Sequence, residues 1–321
     1  MAAIGITGQP DGAQRRVTWL KGLSTATAVC VFILVIIGGV VRVTESGLGC
    51  PDWPLCYGKV LPPLEYTAII EYTHRFVASV IVGPLVLATA VVGLMRYRHD
   101  RWVWIPAAVS VPLLIVQGLL GGVTVLTHLP GGIVALHLGT AEALLAVCLF
   151  LMVASYRTPI RRVTTVVGDG YHRWAIAGAL GLYAVIISGA LVTAMGATGA
   201  CITWPLCQGS AFPMHHLTAI HMFHRYVVLV LGILLLYAVW RCVAGSKGDS
   251  TMRWLAGLTL AAFIAQVVVG AATVWLDFQA HWRALHLTAA TAVWAGAVGM
   301  AVVAYMNART AWGSRASQQA D

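Results

Sequence analysis

Apolar residues in this chain gather into long runs separated by charged or turn-rich breaks. Eight such runs can be placed: near Leu23 to Val41, Glu71 to Met95, Trp102 to Leu126, Ile133 to Ser155, Trp174 to Met195, Ile220 to Trp240, Trp254 to Leu276 and Trp282 to Met306. An α-helix needs roughly 20 apolar residues to cross the hydrocarbon core of a bilayer, and each run is about that long. The pattern predicts an all-α integral membrane protein with eight transmembrane helices.

The runs are one unit written twice. Val35-Ile36-Ile37-Gly38-Gly39 returns as Val185-Ile186-Ile187-Ser188-Gly189, Trp53-Pro54-Leu55-Cys56 as Trp204-Pro205-Leu206-Cys207, and Ala135-Leu136-His137-Leu138 as Ala284-Leu285-His286-Leu287. Gln117 corresponds to Gln266, and the offset stays between 149 and 151 throughout. Four spans per copy give both copies the same orientation, so the prediction is two tandem four-helix bundles related as a parallel repeat. The first bundle takes residues 1–157 and the second 174–306. Residues 158–173 form a cytoplasmic linker, and 307–321 a polar cytoplasmic tail without fixed structure.

Composition agrees with a membrane protein: 59% of the 321 residues are hydrophobic and 10% charged, far too apolar for a soluble chain. The net charge of +9 would suggest nucleic acid were it not for its distribution. Fifteen of the 20 Lys and Arg fall before the first span, in alternate connections and at the C-terminal end. The positive-inside rule makes these cytoplasmic, with both termini inside and no nucleic-acid role. The expected location is the cell membrane. The polar N-terminus precedes a full-length span and shows no cleavable signal peptide.

Seven cysteines divide by location. Cys50 with Cys56, and Cys201 with Cys207, lie in two outward loops where oxidation is permitted, so two disulfides are expected. A four-cysteine zinc site shared by the loops is the alternative, although these spacings are longer than those of zinc knuckles. Cys30, Cys148 and Cys242 lie in or beside spans and read as buried hydrophobes.

The repeat puts one histidine about a turn inside each even-numbered span: His74, His137, His224 and His286. At 1.5 Å per residue all four lie roughly 5 Å below the outer boundary. Polar residues in spans are costly and usually serve a function. Two imidazoles from facing helices of a bundle can supply both axial ligands of a haem iron, which pairs His74 with His137 and His224 with His286. A mononuclear zinc or copper site would want a third ligand, and only His221 offers one. His99, His128, His172, His215, His216 and His281 lie in or near connections and read as surface residues. Arg75 and Arg225 each follow a ligand histidine, placed either to pair with a haem propionate or to snorkel to lipid headgroups. Gly38, Gly39, Gly118, Gly121, Gly122, Gly189 and Gly270 have two compatible readings: close helix packing, and room for a flat ligand.

The copies differ at one chemically useful position. Glu71, three residues before His74, shares its helix face; its counterpart is His221. Arg42, Asp52 and Glu65 also lack counterparts. The N-terminal half therefore reads as the reaction site, with Glu71 as catalytic carboxylate, although a negative charge at a helix N-terminus is also favourable by itself. Glu142, deep in the fourth span, acquires no role from the sequence.

These features together resemble the haem A synthase (CtaA) family over nearly the whole chain: eight spans, the repeat, four histidines, Glu-x-x-His-Arg at Glu71 to Arg75, and a cysteine pair in each of two outward loops. The resemblance implies oxidation of a ring methyl of haem O to a formyl group. It implies haem O as substrate in the N-terminal half, haem b in the C-terminal half, and haem O synthase as a partner. An electron acceptor or donor is also required. Two other classes account for part of the pattern: a membrane cytochrome b passing electrons to or from a quinone, and a transporter or haem-handling chaperone. Neither uses the asymmetry at Glu71.

Overall fold

In a computed structural model that describes residues 12–157, 170–246 and 248–318, eight helices are long and apolar enough to cross a membrane. They are α1 (Gly12–Val43), α2 (Tyr66–Arg96), α3 (Arg101–Leu126), α4 (Gly131–Arg157), α5 (Tyr171–Ala194), α6 (His216–Gly245), α7 (Ser250–Trp275) and α8 (Ala280–Gln318). Each coincides with one predicted run, with Met195 and Leu276 lying one residue past the ends of α5 and α7. The chain is a multi-pass membrane protein, and large apolar residues such as Leu180, Leu229 and Trp254 remain exposed on its flanks because lipid, not water, covers them there.

Two ends differ from the sequence expectation. Helix α1 starts well ahead of Leu23, and α8 continues past Met306 to Gln318, where an unstructured tail was predicted. Ala308, Arg309, Ala311, Arg315 and Ala316 are good helix formers, so a helix already nucleated in the span propagates through them. Most of the predicted linker, residues 158–169, and residues 319–321 lie outside the described residues.

Neighbour relations follow the two halves. Helices α1 to α4 close a ring in chain order with α1 against α4, and α5 to α8 do the same with α5 against α8. The halves meet where α1, α4, α5 and α8 touch. Two helices start on equivalent caps: Asp100 accepts from the Trp102 amide (2.9 Å) and Asp249 from the Met252 amide (3.1 Å), each satisfying a donor that a helix start leaves unpaired.

Glu142 lies in the seam between the halves and is fully buried. Thr291 of α8, its counterpart at an offset of 149, donates to Glu142 Oε1 at 2.8 Å. Trp294 Nε1 donates to the Glu142 carbonyl (2.9 Å) and the Tyr183 hydroxyl to the Gly139 carbonyl (2.9 Å). Three donors from the C-terminal half thus converge on one turn of α4, just below His137. At the far end of the seam, Arg157 donates to Asn307 and lies 3.9 Å from Asp249.

One local irregularity belongs to the N-terminal half. Residues Val77–Val82 of α2 form a π-helical segment. Pro84, two residues beyond Val82, lacks an N–H for the Val80 carbonyl, so the widened turn absorbs the break. The equivalent stretch of α6 carries Ile233 and Leu234 and is α-helical throughout. The break in regularity therefore begins three residues after His74 and has no counterpart after His224.

Candidate functional site: four histidines on glycine floors

The predicted histidines occupy α2, α4, α6 and α8, and each ring rests on a glycine of the helix before it. A Cβ added to Gly38 would lie 3.1 Å from His74 Cε1, and one on Gly121 would lie 3.2 Å from His137 Cε1. The matching values are 3.1 Å for Gly189 against His224 and 3.0 Å for Gly270 against His286. Any side chain at these positions would push the imidazole away from where it sits. The other span glycines do different work: Gly39 packs on Leu287 across the seam, Gly122 on the Trp53 indole, and Gly118 has open space beside it.

The glycine floors correct the register of the repeat in the first span. Sequence similarity pairs Gly39 with Gly189, whereas the residue beneath His74 is Gly38. The offset of 189 − 38 = 151 equals that of the cysteines, 201 − 50 = 151. Ser188 then corresponds to Ile37, and its Oγ lies 2.8 Å from His224 Nδ1.

His74 and His137 belong to the ring of α1 to α4, and His224 and His286 to that of α5 to α8, so each half holds two of the four rings. Gln117 Nε2 lies 3.3 Å from His137 Nε2, and Gln266 Nε2 lies 3.4 Å from His286 Nε2. The correspondence of the two glutamines was visible in the sequence but suggested no role. The Nδ1 atoms of His74, His137 and His286 are buried without a hydrogen-bond partner among the described residues. Leaving a buried polar nitrogen unpaired costs about 1–3 kcal/mol, so packing on the glycine floors, and no hydrogen bond at Nδ1, orients these three rings. Among the described residues, no three His, Cys, Asp or Glu side chains assemble as a metal group. Two imidazoles per half would suffice to hold a haem iron, which would supply redox chemistry there.

Above each pair lies a closed loop. Disulfides join Cys50 to Cys56 (1.98 Å) and Cys201 to Cys207 (2.05 Å), so the cysteines are not zinc ligands here. Tyr57 and Gly58, like Gln208 and Gly209, have positive φ and make the tight two-residue turn that reciprocal bonds between Cys56 and Lys59, and between Cys207 and Ser210, require. Cis peptides occur at Trp53-Pro54 and Trp204-Pro205.

The arginines hold these loops down. Arg75 donates to the carbonyls of Cys50 (2.6 Å), Asp52 (2.6 Å) and Leu55 (2.7 Å) and pairs with Glu71 Oε1. Arg225 Nη1 donates to the carbonyls of Thr203 (2.8 Å), Pro205 (2.9 Å) and Leu206 (3.2 Å), while its Nη2 is buried without a partner among the described residues. Sequence reasoning missed this clamp because backbone carbonyls leave no residue-type signal. Glu71 is 3% exposed, and its Oε2 accepts from the Cys50 amide at 2.8 Å. At the equivalent place His221 Nδ1 meets the Ala197 carbonyl at 3.1 Å. Both positions therefore tie loop to helix, but only Glu71 does so with a carboxylate, which keeps further lone pairs after two bonds.

The COX15-CtaA family, described as cytochrome oxidase assembly protein, matches residues 21–69 and 64–298. The chain is 34% identical over 260 residues to a protein named heme A synthase from Alkalihalophilus pseudofirmus, covering 79% of this chain and 87% of the relative. It is 34% identical over 263 residues to the heme A synthase of Shouchella clausii, covering 79% and 86%. With that of Halalkalibacterium halodurans it shares 36% over 227 residues, covering 69% and 76%. On the extent of these matches, the chain belongs to the COX15-CtaA family.

Proposed function

We propose that this protein is a haem A synthase that oxidises the ring methyl of haem O to a formyl group. The observation that carries the reading is the asymmetry between two otherwise matched sites. Each half has two imidazoles on glycine floors beneath a disulfide-closed loop, and only the N-terminal half adds a carboxylate, Glu71. His74 and His137 hold the substrate haem O, and His224 and His286 hold haem b. A bound haem b supplies one-electron redox chemistry.

The protein's own residues then have defined work. The glycine floors fix the ring positions, and the Arg75 clamp keeps the loop of residues 44–65 over the N-terminal pair, limiting water. Glu71, held by Cys50 and Arg75, orients water or takes a proton as the methyl is oxidised. Inserting oxygen and removing electrons and protons requires an electron acceptor, which is a further partner, and haem O synthase is the expected donor of substrate. The reaction class is that of an oxidoreductase acting on a CH group. The protein sits in the cell membrane with both termini cytoplasmic and the cysteine loops outside, as the charge distribution favours. A cytochrome b that only passes electrons would give Glu71 no chemical role beyond fastening the loop.

The test is extraction of haem from the purified protein, separated by chromatography, for the parent and for His224→Ala and His286→Ala. Haem b with haem O or haem A is expected in the parent, and loss of haem b in both variants. Haem b alone in cells that make haem O, or retention of a normal bis-imidazole spectrum in the variants, would overturn the reading.

A further inference from the structure

We infer that Ser188 is the positioning residue that makes the C-terminal haem site a permanent one, and that Ile37 at the equivalent place leaves the N-terminal site exchangeable. The inference rests on the histidine pairs binding haem as proposed above.

Ser188 Oγ has two neighbours: the Val185 carbonyl at 2.7 Å and His224 Nδ1 at 2.8 Å. A hydroxyl has one proton. Given to the carbonyl, which can only accept, it leaves Oγ to accept from the Nδ1–H of His224. The ring is then held in the tautomer that carries its proton on Nδ1 and presents the Nε2 lone pair to a metal. Ser188 is 6% exposed, so water competes poorly for this bond. A partner on the remote nitrogen of a ligand histidine fixes ring orientation and raises ligand basicity, and its loss typically costs about 10–100-fold in metal affinity.

The N-terminal half lacks this device. Gly38 and Gly189 are equivalent floors, so the residue before each occupies the same place: Ile37 in one half and Ser188 in the other. An isoleucine side chain can offer no hydrogen bond, and His74 Nδ1 is buried without a partner among the described residues. The other contacts to the ligand rings are shared, since Gln117 and Gln266 approach His137 and His286 alike. Among the described residues, the difference in hydrogen bonds to the four rings therefore comes down to one position on the first helix of each half. This suits the two tasks: a cofactor should stay, whereas a substrate haem must enter and its product leave. The π-helical turn on α2 just after His74 likewise has no counterpart after His224.

The experiment measures haem dissociation from purified full-length protein into excess apomyoglobin, together with the reduction midpoint of the retained haem. Ser188→Ala is expected to speed loss of the C-terminal haem about tenfold or more and to raise its midpoint, because a less basic imidazole stabilises ferric iron less. Ser188→Thr, which keeps the hydroxyl, should restore both. In a His286→Ala background, where added haemin reports the N-terminal half, Ile37→Ser should slow dissociation by a similar factor. Parent-like rates and midpoint in Ser188→Ala would overturn the inference, as would equal defects in the Ala and Thr variants, which mark packing alone. An unaltered rate in Ile37→Ser would overturn the assignment of the asymmetry to this position. His224→Ala serves as control: if it keeps its haem, the ligand reading falls as well. If it loses haem while Ser188→Ala behaves as the parent, only the present inference falls.

Discussion

The Glu71 carboxylate accepts a hydrogen bond from the backbone amide of Cys50 at 2.8 Å. The residue singled out as catalytic is thereby fastened to the disulfide that closes the loop above it, and Arg75 grips both. Loop closure and carboxylate placement are one event. Glu71→Gln keeps an acceptor for the Cys50 amide but loses the charge, so the loop should stay closed while haem A formation falls about 100-fold, the scale of general acid–base assistance. Extracted haem A per unit of protein checks this; a parent rate would remove the carboxylate from the chemistry.

The glycine floors make a second prediction. An added methyl on Gly270 would come within 3.0 Å of His286 Cε1, while Gly118 has nothing within 4 Å. Gly270→Ala should weaken haem retention about tenfold, equivalent to about 1.4 kcal/mol. Gly118→Ala should leave it unchanged or slightly stabilise α3, since alanine is the better helix former. Haem-to-protein ratios after dilution in detergent separate the two variants, and equal behaviour would argue that the floor does not seat the ring.

The loops should differ in their response to acid. Asp52 accepts from the amides of Tyr57 (2.6 Å) and Gly58 (2.7 Å). The Gly58 bond, then the Tyr57 bond, and more weakly the Arg75 charge hold its carboxyl below its ordinary value of 3.8. A depressed folded value means that this support is fully present above 3.8 and is lost as pH falls through the lower, folded value. In the other loop Thr203 Oγ1 accepts from the Gln208 amide at 2.7 Å, and a hydroxyl does not titrate. Hydrogen exchange on the two hairpins should therefore diverge only below pH 3.8, with the Cys50–Cys56 loop opening first. Asp52→Asn should abolish the difference.

Much of this was legible in the residues themselves. Eight apolar runs located eight helices, because length and hydropathy alone decide what can cross a bilayer. His74, His137, His224 and His286 stood out because a polar side chain in a span needs a reason. Glu142 stood out too, yet its purpose was invisible: it is bonded to Thr291, 149 residues away. Its carbonyl receives Trp294 Nε1, a contact that no pattern along the chain encodes.

By itself, then, the sequence determined the fold class, the doubling of its chemistry and the list of ligand candidates, since these depend on residue type and spacing. The tertiary structure decided what touches what. It put Gly38 rather than Gly39 beneath His74, set Ser188 against His224 with no equivalent for His74, and turned Arg75 and Arg225 toward loop carbonyls. The physical reason is that a hydrogen bond or a van der Waals contact is fixed to within tenths of an ångström by how helices pack. A slip of one residue along a span changes its sequence register little, but on an α-helix it turns the side chain by about 100°.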